Sequence, residues 1–314
     1  MTTFFRTDSD GALIYPVFLG MRGCPGRCVY CDQDKLSGSE GFDPERAVAE
    51  VREFVERHPD RAKQVAFYGG TFTALEQDLR EELLRSLGAV CDGSTSFRIS
   101  THPLYVSNEI LAHCKHWNIR TIELGVQDFN AAVLAASCRG YSGKDALEAA
   151  YRVKEQGFEL GVQLMPGLPG WTQASLAENR KVLEELKPDL LRLYPLIVIR
   201  GTALEKLLNS GDYLPLSLEE AVAQCADYYP VAGRAGTRII KVGIPSNLDP
   251  AEIAGGPWHP AFGELVKAEL VARKVLAIDP QEDAVTVSRE EIRLLKAHGG
   301  AALAKVQDWF ELHS

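Results

Sequence analysis

The stretch LIYPVFLGMRGCPGRCVYC, residues 13–31, joins a short apolar run to a loop that contains three cysteines. The apolar run, Leu13–Leu19, predicts a buried β-strand. Farther along, Asp43 is a suitable N-cap and Pro44 fits the first turn of a helix that we predict to end at Arg57. The sequence therefore begins with a strand, a loop and a helix, which is the repeating unit of α/β folds.

The same order of strand and helix recurs five more times along the chain. The predicted strands are Val65–Tyr68, Phe97–Ser100, Thr121–Val126, Phe158–Met165 and Leu190–Leu196, and the predicted helices are Glu76–Val90, Ser107–His116, Lys144–Gln156, Gln173–Leu186 and Ala203–Asn209. Such alternation indicates a parallel sheet with right-handed crossovers. Six units fit either an open sheet or an incomplete barrel, and we predict the second, a partial (β/α)6 barrel related to the TIM barrel.

The pattern changes after Gly211. Ser217 with Glu220, and Ser288 with Glu291, predict capping boxes that start two further helices. Additional strands are expected at 239–244 and 284–287. We therefore divide the chain into a barrel core, residues 1–211, and a small α+β accessory region, residues 212–314, that packs on the barrel.

Composition limits the class of protein. The 314 residues are 46% hydrophobic and 25% charged, a balance typical of globular domains. Lys and Arg total 34 against 43 for Asp and Glu, a formal net charge of −9, which argues against binding phosphate backbones over the whole surface. Only a local basic patch would bind nucleic acid. No apolar run approaches the roughly 18 residues that span a bilayer, so we predict a cytoplasmic protein with no membrane partner.

The seven cysteines do not suggest a disulfide scaffold, because their number is odd in a long chain. Three of them, Cys24, Cys28 and Cys31, fall within eight residues as CPGRCVYC. Clustered thiolates are typical ligands of a soft metal or an iron–sulfur cluster, whereas structural zinc needs a fourth ligand that no nearby residue supplies at the usual spacing. The alternative, three free structural cysteines, would be an unusually tight group. The four dispersed cysteines predict no second cluster.

At this point the sequence resembles the radical S-adenosylmethionine (radical SAM) superfamily, whose signature is CxxxCxxC. Further motifs follow in order, namely FYGGTFT, RISTHP, ELGVQDFN, QLMPGLPG and LYPLIVIRGT, and each lies at or just after the end of a predicted strand. In parallel α/β folds, ligands bind at the edge of the sheet that is formed by the carboxyl ends of the strands. The resemblance covers about residues 15–213 and is to the branch that contains the Elongator catalytic subunit and oxygen-independent coproporphyrinogen oxidase. Elongator-like relatives carry a basic N-terminal arm and an acetyltransferase domain, and we expect neither in this chain.

The resemblance implies a 4Fe–4S cluster held by Cys24, Cys28 and Cys31, with S-adenosylmethionine on the open iron. The residues that it implies for cofactor binding are Gly69, Gly70, Thr71, Ser100, Gln127, Arg139 and Gln163. Within this set, the glycine motif would bind the amino group of the cofactor and Arg139 its carboxylate. Three positions depart from the commoner family residues: Thr71 and Ser100 replace Glu, and Gln163 replaces Asp.

The implied activity is reductive cleavage of S-adenosylmethionine to a 5′-deoxyadenosyl radical, which takes a hydrogen atom from the substrate. Flavodoxin or ferredoxin is the expected electron donor. The substrate stays open among a small metabolite, a tetrapyrrole, a peptide and a tRNA base. The alternative is a non-catalytic iron–sulfur electron carrier or sensor. An ordinary methyltransferase is not favoured, because cysteines occupy the turn where its glycine-rich loop would lie.

No catalytic residue follows from the motifs, and two histidines are candidates. The segment GGPWHPAF, residues 255–262, could cover the side of an incomplete barrel and bring His259 to the substrate, together with His102 from the RISTHP loop. The alternative is structural: Trp258 packs the accessory region onto the barrel and His259 caps the following helix.

Overall fold

The computed structural model describes residues 6–7, 11–26, 28–32, 35–36, 42–244, 248–277 and 287–312. The strands of the described residues are β1 (Arg6–Thr7), β2 (Leu13–Phe18), β3 (Lys63–Tyr68), β4 (Thr95–Thr101), β5 (Ile119–Gln127), β6 (Glu159–Leu164), β7 (Leu190–Leu193), β8 (Val198–Ile199), β9 (Arg238–Val242) and β10 (Ile253–Gly255). The α-helices are α1 (Pro44–Arg57), α2 (Gln77–Gly88), α3 (Asn108–His116), α4 (Ala131–Ala136), α5 (Gly143–Glu155), α6 (Gln173–Leu186), α7 (Ala203–Ser210), α8 (Leu218–Ala235), α9 (Phe262–Leu276), α10 (Arg289–Lys296) and α11 (Ala301–Leu312).

One curled sheet organises the molecule. Strands β2 to β7 pair in chain order and all run parallel, and β1 adds to β2 in the antiparallel direction. Strand β9 then pairs with β7 in parallel, so the half-barrel has seven parallel strands where we had predicted six. The predicted partial barrel is thus confirmed, and it gains a strand from beyond residue 211, the position at which we divided the chain.

Side chains alternate between two environments along each strand, as the two-residue period of β-structure requires. On β4, Phe97 and Ile99 join the hydrophobic core, whereas Arg98 and Ser100 line a cavity on the inner face of the sheet. The same alternation holds on β7, where Leu191 and Leu193 flank Arg192. The outer face therefore carries the apolar core under the helices, and the inner face carries charged and polar side chains on β4 and β7 but apolar ones, Ile14, Pro16 and Phe18, on β2.

The helix starts follow the predicted capping chemistry. The Asp43 side chain accepts from the backbone N–H groups of Glu45 and Arg46, and Pro44 occupies the first turn of α1. Both predicted capping boxes, at Ser217 and at Ser288, are present. Helix α4 was not predicted, since its six residues are too few to show a period. The strand predicted at 284–287 lies mostly on residues outside those described.

The accessory segment GGPWHPAF begins in β10, which pairs with β8. Gly256 passes so close to the chain after β7 that a Cβ there would lie 3.0 Å from the Leu196 carbonyl oxygen. Trp258 packs against the cluster formed by Ile197, Ile199 and Leu248. This segment is thus packed onto the barrel, which agrees with the structural alternative. No described helix combines the length and the apolar character needed to cross a membrane.

Candidate functional site

A cavity of about 870 Å³ opens at the carboxyl ends of the parallel strands. Its wall brings together residues from loops far apart in sequence, including the three motif cysteines, the glycine loop and the ends of β4, β5 and β6. All the predicted metal and cofactor residues contribute to this wall: Cys24, Cys28, Cys31, Gly69, Gly70, Thr71, Ser100, Gln127, Arg139 and Gln163. Of the two candidate histidines, His102 lies in the wall and His259 does not.

The three motif cysteines form no disulfide and are half-buried. Cys24 Sγ lies 3.6 Å from the Thr71 hydroxyl, and Arg139 Nη1 donates to Cys28 Sγ at 2.9 Å. No three His, Cys, Asp or Glu side chains among the described residues are grouped closely enough to hold a single metal ion. Thiols that each bind a different iron of a cluster do not need to converge on one point.

The cysteine loop and the glycine loop are in direct backbone contact. Thr71 N–H donates to the Arg22 carbonyl oxygen at 2.9 Å. Gly70 has φ of 58°, and a Cβ there would lie 2.1 Å from the same oxygen, so no larger residue fits. Gly23 is equally constrained, because its Cβ would lie 2.3 Å from the Thr71 carbonyl oxygen. The two loops therefore form one rigid edge of the cavity.

Gln127, at the end of β5, has an unusual conformation and an unsatisfied side chain. Its φ is 69°, in the left-handed region that costs a non-glycine residue of order 1–3 kcal/mol. Its Oε1 atom is buried and accepts no hydrogen bond from the described residues. A buried acceptor without a partner is rare, and here it lies in a cavity wall. This orphaned oxygen fits a ligand that carries N–H or O–H groups, as S-adenosylmethionine does.

Arg139 is buried in the wall between the cysteine loop and β5. Its guanidinium donates to the Gly125 carbonyl oxygen, to Cys28 Sγ and, through Nε, to the Tyr141 hydroxyl at 3.1 Å. Its described partners include no carboxylate, so its charge is balanced only by dipoles and by the neighbouring thiol. A buried guanidinium in this state favours an anionic ligand.

His102 supports the Arg139 backbone and is not placed as a proton donor to substrate. Its Nδ1 accepts from the Leu104 backbone N–H, so the ring proton is on Nε2, which lies 3.3 Å from the Arg139 carbonyl oxygen. Burial, together with the nearby Arg139 guanidinium, lowers the pKa of His102 to about 4. The ring is therefore neutral at physiological pH, and both of its nitrogens are engaged.

His259 has contacts of a different kind. Its Nδ1 accepts from the Ala261 backbone N–H at 3.1 Å, just before α9, and its ring packs edge-on against His298. His259 thus satisfies a backbone donor just before α9, whereas no side-chain hydrogen bond caps the helix itself, so the alternative in which His259 caps α9 is wrong. We propose no role in the reaction for His259.

Ser100 and Gln163, two of the residues that depart from the family pattern, contact each other. Gln163 Nε2 donates to Ser100 Oγ at 2.9 Å and to Glu123 Oε2 at 3.0 Å. These two side chains therefore form a neutral, hydrogen-bonded pair in the cavity wall.

A buried charged cluster on the inner face of the sheet was not predicted. Glu123, fully buried on β5, accepts from Arg98 Nη1 at 3.0 Å and from Arg192 Nη2 at 2.9 Å. Arg192 Nε and Gln163 Nε2 also donate to its carboxylate. Burial alone would raise the pKa of Glu123, but the two guanidinium groups outweigh it and lower the pKa. Glu123 is thus a fixed anion, which orients both arginines.

Room for this cluster comes from Gly161 on the neighbouring strand. A Cβ at this position would lie 2.7 Å from Glu123 Cγ. The sequence does carry a signal for the cluster, since FRI, IEL and LRL each place a charged residue between apolar ones in a buried strand. The alternation shows that these charges share one face, but it does not show which strands are neighbours.

Comparison with sequence families gives two matches. The profile of the Radical SAM superfamily matches residues 18–183, and that of the Radical_SAM C-terminal domain matches residues 188–272. Among curated proteins, the chain is 26% identical over 264 residues to a tRNA uridine(34) acetyltransferase of Methanocaldococcus infernus, covering 69% of this chain and 49% of that protein. It is 30% identical over 229 residues to Elongator complex protein 3 of Mus musculus, covering 64% of this chain and 40% of that protein. The chain thus spans about half the length of these relatives, or less.

Two solved structures share the fold. The archaeal Methanocaldococcus infernus Elp3 with an N-terminal deletion superposes with a TM-score of 0.62 at 22% identity, over 81% of this chain and 61% of that one. SuiB from Streptococcus suis superposes with a TM-score of 0.51 at 14% identity, over 74% of this chain and 50% of SuiB. At these identities the likeness concerns the fold, whereas the sequence profile covers more than half of the chain. On that match the chain belongs to the radical SAM superfamily, whose enzymes act with a 4Fe–4S cluster and S-adenosylmethionine.

Proposed function

We propose that this chain holds a 4Fe–4S cluster on Cys24, Cys28 and Cys31 and binds S-adenosylmethionine in the adjoining cavity. The observation that carries the proposal is the convergence of separate sequence motifs on a single cavity wall. Four loops that are unrelated in sequence supply thiols, an open glycine backbone, an unpartnered amide oxygen and a buried guanidinium. An electron carrier or sensor would need only the thiols.

When bound, the cluster and S-adenosylmethionine together supply a 5′-deoxyadenosyl radical by one-electron reduction of the sulfonium, and this radical abstracts a hydrogen atom from the substrate. The protein positions these groups. Arg139 would bind the cofactor carboxylate, and the backbone at Gly69 and Gly70 would bind its amino group. Gln127 Oε1 is available to accept from the ribose or the amino group. Ser100 and Gln163 occupy the remaining polar positions of the same wall.

His102 acts indirectly in this proposal. Its contact with the Arg139 carbonyl fixes the loop that carries the guanidinium, and its neutral ring adds no charge beside it. His102 is therefore a positioning residue. Exclusion of water and oxygen from the cavity falls to the apolar side chains around the polar ones.

A substrate and a reductant complete such a reaction. We propose flavodoxin or ferredoxin as the reductant, because the half-buried cysteine loop is accessible to a small redox protein. A reducing compartment, the cytoplasm, suits seven cysteines that form no disulfide. A tRNA uridine, which the names of the relatives contain, remains one substrate class beside a small metabolite, a tetrapyrrole and a peptide.

The experiment is anaerobic reconstitution with iron and sulfide, followed by reduction with dithionite in the presence of S-adenosylmethionine. We expect about four irons per chain and formation of 5′-deoxyadenosine that depends on the reductant. Four irons without any cleavage product would instead favour the electron carrier. Failure to retain iron would overturn the proposal.

A further inference from the structure

The turn at the end of β5 is followed by a buried carboxylate that the proposed function does not use. Asp128 comes directly after Gln127 and is only 4% exposed. The Asp128 N–H donates to the Val126 carbonyl oxygen at 2.9 Å, across Gln127 with its φ of 69°. A hydrogen bond between residues two apart, around a positive φ, is the pattern of a rare and strained form of γ-turn. Such a turn persists only where the surrounding structure holds it.

The Asp128 side chain holds the residues after this turn through two hydrogen bonds. Its Oδ1 accepts from the Asn130 backbone N–H at 2.7 Å, and its Oδ2 accepts from Asn179 Nδ2 at 2.8 Å. Asn179 is buried on α6, and its Oδ1 accepts from the Phe129 backbone N–H at 2.8 Å. A backbone N–H can only donate and an ionised carboxylate can only accept, so just one orientation of the Asn179 amide satisfies both partners. Residues 128–130 are thus fixed to α6.

Helix α5 closes the other side of the same segment. A Cβ at Gly143, the first residue of α5, would lie 1.8 Å from the Phe129 carbonyl oxygen. The segment therefore lies between two helices, with a steric stop at α5 and a polar bridge at α6. Burial, the largest cause, raises the pKa of Asp128 to about 6, although the hydrogen bonds from Asn130 and Asn179 act to lower it. The carboxylate is therefore mostly ionised at neutral pH, and the bridge is a charge-assisted hydrogen bond.

The two ends of this segment lead to two of the residues assigned above to the cofactor. At one end is Gln127, whose buried amide oxygen accepts no hydrogen bond from the described residues. At the other end, the Asn130 side chain caps the start of α4. The Arg139 backbone N–H donates to the carbonyl oxygen of Leu134 in that helix at 3.0 Å. The position of residues 128–130 thus affects both the Gln127 amide and the loop that carries the Arg139 guanidinium.

We infer that Asp128 and Asn179 are positioning residues for S-adenosylmethionine. Their hydrogen-bonded pair holds Gln127 and Arg139 in the cofactor-binding arrangement before the cofactor is bound, so that binding does not bear the cost of forming the strained turn. Neither member of the pair lines the cavity, so both act through their neighbours. This inference rests on the proposed function, because that function assigns Gln127 and Arg139 to the cofactor. The alternative is a pair that stabilises the fold and has no effect on the cofactor.

The chemistry of the pair allows a test by exchange. Asp128→Asn places an amide nitrogen opposite the amide nitrogen of Asn179, and Asn179→Asp places two carboxylate oxygens opposite each other. Each single variant therefore loses the hydrogen bond between the two side chains. The double variant, Asp128→Asn with Asn179→Asp, again places a donor opposite an acceptor and leaves an oxygen for each of the two backbone N–H groups.

The measurement is the affinity for S-adenosylmethionine, by equilibrium dialysis with anaerobically reconstituted protein and no reductant. Each single variant should bind the cofactor about tenfold or more weakly than the parent, because binding must then restore the strained turn. The double variant should recover to within about threefold of the parent. The iron content should stay at about four per chain in every variant, because the cysteine ligands are unchanged.

Glu178→Gln is the matched control. Glu178 also lies on α6 and accepts from Asn130 Nδ2 at 2.7 Å, but it is exposed. The same change from carboxylate to amide leaves an oxygen for Asn130 and does not alter the bond between Asp128 and Asn179, so the affinity should not change. If neither single exchange gives folded protein, Asn179→Ala decides, because it removes the bridge without placing like groups opposite each other. It should also bind the cofactor about tenfold or more weakly.

The outcomes separate this inference from the proposed function. A parent protein that binds no S-adenosylmethionine would overturn both. A parent that binds it, together with folded single variants that bind it equally tightly, would overturn the inference alone and show that the pair only stabilises the fold. Weaker binding in the single variants without recovery in the double variant would also overturn the inference, because the loss would not come from the hydrogen bond between Asp128 and Asn179.

Discussion

The two sides of the cavity are built by different means. The side at the cysteine and glycine loops presents groups that a ligand could still bind, such as the Gln127 amide oxygen and thiols that form no disulfide. The side on β4, β5 and β7 has charged groups that mostly satisfy one another, with Glu123 at their centre. The first side needs its ligands to be complete, whereas the second is a rigid framework of paired charges. Variants that affect only one side can test this difference.

The largest effect should come from the cysteines. Replacing Cys24, Cys28 or Cys31 by Ala removes a ligand of the cluster, so the iron content after reconstitution should fall from about four per chain to near zero. Iron analysis and the visible absorbance measure this loss. Cys225→Ala, buried on α8 away from the cavity, is the matched control and should retain its iron. Full retention in any of the three motif variants would contradict the assignment, and about eight irons in the parent would reveal a second cluster.

The next largest effect should come from Glu123, on the other side of the cavity. Glu123→Gln leaves the buried Arg192 without its carboxylate and Arg98 with only the more distant Glu159, which should lower the free energy of unfolding by about 3–5 kcal/mol. Urea denaturation measures this change. The control is Glu148→Gln, whose exposed pair with Lys144 should contribute less than about 1 kcal/mol. If Glu123→Gln is as stable as the parent, the cluster is not a rigid framework.

Arg139 should show an effect on binding. Arg139→Ala removes a charge-assisted hydrogen bond to the cofactor carboxylate, so the affinity for S-adenosylmethionine should fall by about 1.5–3 kcal/mol, or roughly 10- to 150-fold. Equilibrium dialysis with reconstituted protein measures this affinity. Arg46→Gln, on the exposed surface of α1, controls for the loss of one positive charge. A variant that binds the cofactor as tightly as the parent would show that Arg139 has been misassigned.

The smallest effect should come from His259, which lies on neither side of the cavity. His259→Ala removes the side-chain acceptor of the Ala261 N–H and should cost about 1 kcal/mol of stability. Cofactor cleavage and its coupling to product should not change. If the variant keeps its cluster and still cleaves S-adenosylmethionine, but cleavage no longer leads to product, His259 would instead contact the substrate.

The sequence was sufficient to predict the loops that form the first side, because their residues are adjacent in the chain and carry recognisable spacing. CPGRCVYC and GGT are local patterns, and parallel strands bring their loops to one edge. The strand order also followed, apart from β9. Its five residues stand alone between two helices of the accessory region, and only the pairing with β7 reveals that it belongs to the sheet.

The charged side could not be predicted in the same way. Its members come one or two at a time from separate strands, and each pair depends on sheet register as well as on sequence. The pairing of Ser100 with Gln163 illustrates this. In the sequence they are two unrelated departures from a family pattern, whereas in the fold one hydrogen bond joins them.

The close approach of the cysteine and glycine loops has a consequence for engineering. Gly23 and Gly70 each lie where a side chain would collide with the backbone of the opposite loop. Neither loop can therefore be exchanged for that of a relative unless the other is exchanged with it. Chimeras should be designed with residues 20–31 and 69–75 transplanted as one unit, although 37 residues separate them in the chain.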